Sequence, residues 1–567
     1  MDVSLKYIYP LLFCCMTPIV QATTSDADGN PVAASAIRDP SQVLGGYKEV
    51  REDGFSSSTD SPYKVRNSYA DGSSFYLPEK GETYQLNNIE NFYAADGGNH
   101  FTINIQQPDK NDNKLLYLEG SYAAQAEVNF SGEGAYGVFY KNYTSGVTVN
   151  ASDNATVVID SNYAKGATLN SDNASLYLIS DVAQNAIINN KNNSYMKISD
   201  SDASEVDLTN DNSEMHILNS STDGATMKNN NGGTLYVSNN NVSNTHIVND
   251  SSAFYATNNI ANNASFENGN QSVFVFNGGN ISGSAMTNDN SSSTLSNVHG
   301  NDTTVKNLNK GQMSFSNISG NHYLLDNGSG KVNDNSAMTL TGNNSVTLST
   351  VNNLTYASMS LSGYLEFTGS TLNNQSFLQL DNLTLQSGTI NNSGITSATK
   401  STLNDFALNN NHNGQVNLSD VNIDRATLNN GSGESNDQSA LILQGNNSLT
   451  ATALVNHKYA KTMLTGALDF IGSTLDNAGS ATLQNLALQQ GTINNHGNLV
   501  AQTSSFNGLA LTNQQNGQVQ LSDVNVDNAI LINGSGEEND QSSLLLQGSN
   551  IVKNTTITNQ QNAQTLL

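Results

Sequence analysis

The chain has no tryptophan, two cysteines and 7 prolines in 567 residues. It is also short of positive charge: 22 Lys and Arg stand against 49 Asp and Glu, a net charge of −27. Each shortage excludes something. Both cysteines, Cys14 and Cys15, lie in the first 22 residues. The chain beyond them therefore offers no disulfide, no thiolate metal site and no cysteine nucleophile. Sparse, scattered basic residues exclude the electrostatic footprint that nucleic acid requires, and with it attraction to an anionic membrane surface. After the N-terminus no apolar run is long enough to span a membrane as a helix. Hydrophobic residues at 36 % and charged residues at 13 % are both low for a globular chain. Such a chain either stays disordered or buries a thin core many times over, and regular apolar spacing decides for the second.

What fills the chain is Asn, Ser, Thr and Gly, together roughly half of it. The N-terminus, "MDVSLKYIYPLLFCCMTPIVQA", places Lys6 before an apolar stretch and ends on the small-residue site Val20-Gln21-Ala22. It predicts a secretory signal peptide over residues 1–22. Residues 23–70 form a polar N-terminal extension. Residues 71–145, richer in aromatics ("SSFYLPEKGETYQL", "AYGVFYKNY"), form an N-terminal cap and first coils.

From Val157 the pattern is regular. Ile159, Leu178, Ile198, Ile217, Val237, Ala256, Val275, Leu295 and Phe315 follow one another at steps of 19 or 20 residues. A second apolar column, Leu169, Ile188, Leu208, Met227, Ile247, Phe266, Met286, Val305 and Leu325, lies ten residues behind with the same step. "TLYVSN" and "VFVFN" alternate as strands do. A unit of about 20 residues built of short strands is one turn of a parallel β-helix: all-β, with the two columns stacked inward. Two residues after the second column stand Asn190, Asn210, Asn229, Asn249, Asn268, Asn288, Asn307 and Asn327. Asn tolerates left-handed turns, and its amides hydrogen-bond from coil to coil when stacked. The column therefore reads as a structural turn ladder.

Residues 146–345 are expected to form coils of 19–20 residues, and residues 346–567 a β-helix of 103-residue, five-coil blocks. Residues 361–447 and 464–550 match at more than half their positions. "NGSGESNDQS" at Asn430 and "NGSGEENDQS" at Asn533 mark the two copies, and "NGSGKVNDNS" at Asn327 an older one. Asn430 holds the ladder position, but the next inward residue, Leu441, comes eleven residues later, against six from Asn229 to Leu235. The loop is a ladder turn with five residues inserted. The final "AQTLL" matches "AKTML" 103 residues earlier, so the reading frame is expected to continue and this chain to be truncated.

The signal peptide, the cysteine-free remainder and the polar 20-residue coils resemble bacterial autotransporter (type V secretion) passenger domains, in the style of AIDA-type and pertactin-like adhesins. The resemblance covers roughly residues 71–567. It implies a right-handed parallel β-helix, or β-solenoid, exported and held at the outer surface of a Gram-negative cell. It also implies a C-terminal translocator barrel, which this chain does not show.

No linear motif for catalysis stands out. The "GDSG"-type motif of protease passengers is absent, and "NGSGE" lacks a nucleophile-elbow frame. The eight histidines show no ligand spacing. Asp420 with Asp424, and their echoes Asp523 and Asp527, read as solvated outward residues, because an active site is seldom duplicated with its surroundings. The pairs Glu434 with Asp437 and Glu537 with Asp540 read as solvated turns and not calcium ligands, since the older copy carries Lys331 in place of the glutamate. The expectation is that the chain is not an enzyme and takes no cofactor and no metal.

A third column, between the inward positions of each first strand, holds Val158, Tyr177, Lys197, His216, Tyr236, Tyr255 and Phe274. Alternation sets it outside. Its rings stack to stiffen the fold or bind; as a candidate binding surface it consists of Tyr177, His216, Tyr236, Tyr255 and Phe274. The expected function is an adhesin or self-association module whose partner is a host-cell glycan or protein, or a second copy of the chain. The alternatives are a passenger enzyme acting on polysaccharide, and a stalk for a region beyond Leu567.

Overall fold

The computed structural model of the protein describes residues 125–567, Gly134 and Tyr143 excepted, and before them only isolated strands. The expected signal peptide, the polar extension and most of the cap lie outside the described residues. Every regular element described is a strand. The chain divides into two units, residues 1–242 and 243–567, and from residue 125 on each is a parallel β-solenoid.

In the first unit each coil gives one strand to each of two parallel sheets. Thr156–Asp160, Ser175–Ile179, Tyr195–Ser199, Glu214–Leu218 and Thr234–Ser238 stack in one. Thr148–Ser152, Thr168–Asp172, Ile187–Lys191, Asp207–Asp211 and Thr226–Asn230 stack in the other. The strands are short because residues that tolerate a left-handed backbone punctuate them: Asn192, Asn212, Asn219 and Asn231 all have φ near +50°. Within a strand, alternate residues turn inward. Leu178, Ile198 and Ile217 from one sheet, and Leu169, Ile188 and Met227 from the other, are fully buried. Each such side chain contributes about 1.5–3 kcal/mol on leaving water. No single coil has enough of them to fold alone, which is why the coils must stack.

The second unit repeats the plan, with Ile247, Phe266, Met286, Val305 and Leu325 in its interior. Here the structure corrects the other apolar column at one place. Ala256 pairs with Phe276, and Phe276 with Leu295, while Val275 lies beside Tyr255 on the outer face. The coil between Ala256 and Phe276 is one residue longer than a step of 19 allows. A slip of one residue exchanges the faces of a strand.

Further along, many coils carry a third short strand, as at Thr402–Asn404 and Asn422–Asp424. In Ser358–Glu366 and again in Lys461–Asp469 this third segment fuses with the first, with a register shift at Gly363 and Gly466. Both glycines have φ near +90°, and a Cβ there would meet the backbone carbonyl of Gly342 or Gly445 at 2.5 and 2.2 Å. Only glycine lets neighbouring coils approach so closely. The block duplication seen in the sequence is therefore also a duplication of backbone irregularities.

Candidate functional site

The inner asparagine column is a continuous hydrogen-bonded ladder in each unit. Asn190 Nδ2 donates to Asn210 Oδ1 (2.8 Å) and Asn210 to Asn229 (2.7 Å). In the second unit Asn249, Asn268, Asn288, Asn307 and Asn327 follow the same rule, each donating to the next. All these residues are buried. Their second N–H commonly reaches a backbone carbonyl, as from Asn288 to Ser291 (2.9 Å). The amides are consumed by the turn and face no ligand.

The inserted loops are built more tightly than solvated turns. Asp437 is buried and accepts from the backbone amides of Ser432 (2.7 Å), Asn413 (3.0 Å) and Ser439 (3.1 Å), and from Ser439 Oγ (2.5 Å). Asp540 repeats this with Ser535, Asn516 and Ser542. Burial alone raises a carboxyl pKa. Here the donated hydrogen bonds outweigh it and hold both groups below the usual carboxylate range. The expectation of solvated turns is therefore corrected for Asp437 and Asp540: each is a clasp that closes the loop on its own backbone. Glu434 and Glu537, at the crests, are exposed. The pattern Asp-x-Ser, kept at Asp334/Ser336, Asp437/Ser439 and Asp540/Ser542, was the signal for the clasp.

The aromatic column is partly outside. In the first unit Tyr177 stands on the outer face between Val158 and Lys197, yet it is buried beneath its neighbours. Its ring lies 5.7 Å from Tyr195, a residue the sequence reading left out. Tyr195 lies 5.4 Å from His216, and His216 stacks on Tyr236 at 4.5 Å. His216 Nε2 is 2.6 Å from Glu214 Oε1. Burial pushes the Tyr177 hydroxyl up; for Tyr195 burial, then Tyr177 and Glu214, does the same. The set forms a half-buried ribbon of four rings. In the second unit Tyr255 is outward and half-buried. Phe274 is not. It is 2 % exposed, faces inward opposite Phe254, and stacks on it at 4.9 Å. The cause is the longer coil that also displaced Val275, and Phe274 leaves the candidate surface.

Asp420 and Asp523 sit at left-handed corners, where Oδ1 accepts from the Asn446 and Ser549 amides at 2.8 Å each. Arg425 bridges Asp405 (2.6 Å from Nε) and Asp424. Among the described residues no group of three His, Cys, Asp or Glu converges to hold a metal.

A second row of amides runs along the outside of the other sheet in the second unit. Asn352 donates to Asp326 (2.7 Å), Asn373 to Asn352 (2.8 Å), Asn391 to Asn373 (2.9 Å), Asn409 to Asn391 (2.9 Å) and Asn429 to Asn409 (2.8 Å). This outer ladder donates backward along the chain, whereas the inner one donates forward.

No family model and no curated protein matches the chain. Among solved structures, a PL6 family alginate lyase, AlyGC, matches at 10 % identity and a TM-score of 0.20, over 90 % of this chain and 98 % of that one. A hyper-glycosylated TibA fragment matches at 13 % identity and a TM-score of 0.14, over 69 % of this chain and 99 % of that one. At such identity the likeness is one of fold. It does correct one expectation: AlyGC is an enzyme, so the statement that a chain of this kind is not an enzyme does not stand. The physical reason is that a solenoid juxtaposes residues a whole coil apart, so a site on it leaves no short motif to find.

Proposed function

We propose that the chain is the surface-displayed passenger of an autotransporter and works as an adhesin or self-association module. The observation that carries this reading is the loop raised from the stack at Asn430 and again at Asn533, each closed by its own buried aspartate and each lifting an exposed glutamate. A clasped loop is pre-ordered, so a partner that meets it spares the entropy of ordering it. Repetition on a rigid support then turns weak contacts into avidity. The partner is a host-cell glycan or protein, or a second copy of the chain.

The test is deletion of residues 361–463, one whole block, with both lengths displayed on cells. Strand Ser358–Glu366 and strand Lys461–Asp469 are equivalent, so the junction keeps the register. Adhesion and aggregation are expected to fall in a graded way while the shorter chain stays folded. Equal adhesion at both lengths overturns the reading and favours a stalk.

A further inference from the structure

The outer amide row and its neighbours make an uncharged strip in this acidic chain. The first unit carries a row of the same kind, Asn189 donating to Asn170, Asn170 to Asn150 and Asn150 to Asn129, but with Ile187 and Glu127 beside it. In register beside Asn352, Asn373, Asn391, Asn409 and Asn429 lie Thr350, Thr371, Thr389, Ala407 and Thr427. All ten are outward and half-buried. None is charged, in a chain of net charge −27. An Asn amide has two N–H groups. In Asn373, Asn391, Asn409 and Asn429 one is used by the ladder, and the structure gives the other no protein acceptor. The ladder holds each amide plane fixed, so the remaining donors stand in a row, one per coil, at the strand spacing of about 4.8 Å. The row opens into a groove of about 310 Å³ walled by Asn411, Gly431 and His457.

We propose that this strip binds an extended, uncharged polysaccharide, with successive sugars lying on successive coils. One pyranose of a 1,4-linked chain advances close to one strand spacing, so a single ring hydroxyl per sugar meets the free N–H of each amide. The threonine methyls and the Ala407 methyl give the sugar faces an apolar bed, and the threonine hydroxyls supply further donors and acceptors. Charge selects against a polyuronate: the strip offers no cation, and the surrounding chain repels anions. In the following block Asn409, Asn429 and His457 are replaced by Thr512, Ile532 and Gln560. The strip is thus not repeated in the following block, which separates it from the duplicated loops. The inference deepens the reading of the chain as a binding module and rests on it.

The test uses the purified full chain, with cellohexaose and mannohexaose as neutral probes and a polygalacturonate oligomer as the anionic one, measured by calorimetry and affinity electrophoresis. A neutral probe is expected to bind, with little effect of salt. Asn391→Ala with Asn409→Ala is expected to weaken it about tenfold or more, because two donors are lost. Ala407→Lys leaves every ladder bond in place and blocks the bed, so it guards against a loss due to unfolding; circular dichroism confirms each variant. No binding of either neutral probe, binding of the polygalacturonate alone, or unchanged affinity in Ala407→Lys overturns the proposal. So does a doubling of mass in sedimentation that Ala407→Lys abolishes, which assigns the strip to a second copy. The block deletion removes this strip together with one loop, so cell adhesion is also read in Ala407→Lys, whose loops are intact: adhesion kept there while sugar binding is lost separates this proposal from the reading it rests on.

Discussion

At the scale of single residues the fold is held by buried amides as much as by apolar side chains. Asn288 accepts from Asn268 and Ser293 and donates to Asn307, Ser291 and Gln312. Asn288→Ala would leave several of these partners buried and unpaired, a loss of about 2–4 kcal/mol, read as a lowered urea midpoint. The ladder of the first unit has a visible end. Asn190 Oδ1 is buried without a partner, and Ser171 stands in register one coil before it. Ser171→Asn supplies the missing donor and is expected to add about 0.5–1.5 kcal/mol, measured in the same way. The inner ladder was legible because its step repeats through every coil and asparagine suits the turn. Phe274 was not, because one longer coil moves a strand by a single residue and no local signal marks which coil is longer. Tyr195 was missed for another reason: it touches His216 diagonally, across the register and not along it.

At the scale of the turn, two carboxylates respond to pH in opposite senses. Asp181 is buried in a corner column where Asn162 and Ser201 hold the flanking coils. Burial, opposed by hydrogen bonds from the Asn162 and Ile179 amides, leaves its pKa raised well above the usual value. The folded state therefore holds the proton more tightly than the unfolded one. Stability at this site is full in acid and falls as pH rises from the ordinary carboxylate range through the raised value. Asp181→Asn, the residue already used at Asn162, is expected to raise the urea midpoint at neutral pH and to converge with the parent on acidification. Asp437 runs the other way. Its pKa lies below the usual range, so its contribution is present above that range and is lost as pH falls towards the folded value. Asp437→Ala strands three backbone donors and is expected to cost about 1–3 kcal/mol at neutral pH, with the difference shrinking in strong acid. The inserted length of this loop could be counted from the sequence. Its clasp could not, because a carboxylate in a polar loop looks solvated until the fold turns it inward.

At the scale of the whole molecule the chain is a sum of local stacking terms and a large negative charge. Sequence separations along the ladders run from 18 residues at Asn374 to Asn392 up to 26 at Asn430 to Asn456, so folding never waits for a distant partner. The charge of −27 makes like surfaces repel. If a second copy is the partner, raising salt from about 10 to about 150 mM should promote association, since the Debye length falls from about 30 Å to about 8 Å. Light scattering that stays flat across this range would argue for a foreign ligand.

The opposite directions of the two asparagine ladders have a consequence for assembly. A coil ending in Asn373-Asn374 shows the next segment an outer carbonyl and an inner N–H, side by side. Asn391 and Asn392 answer both at once, because the outer residue donates and the inner accepts. A segment arriving one residue early or late can answer only one, and it sets Thr389 or Asn391 against the buried Leu372. The stack therefore proofreads its own growth: a misplaced segment closes half the lock, pays for a polar group in the core, and lets go before the next coil can cover the error.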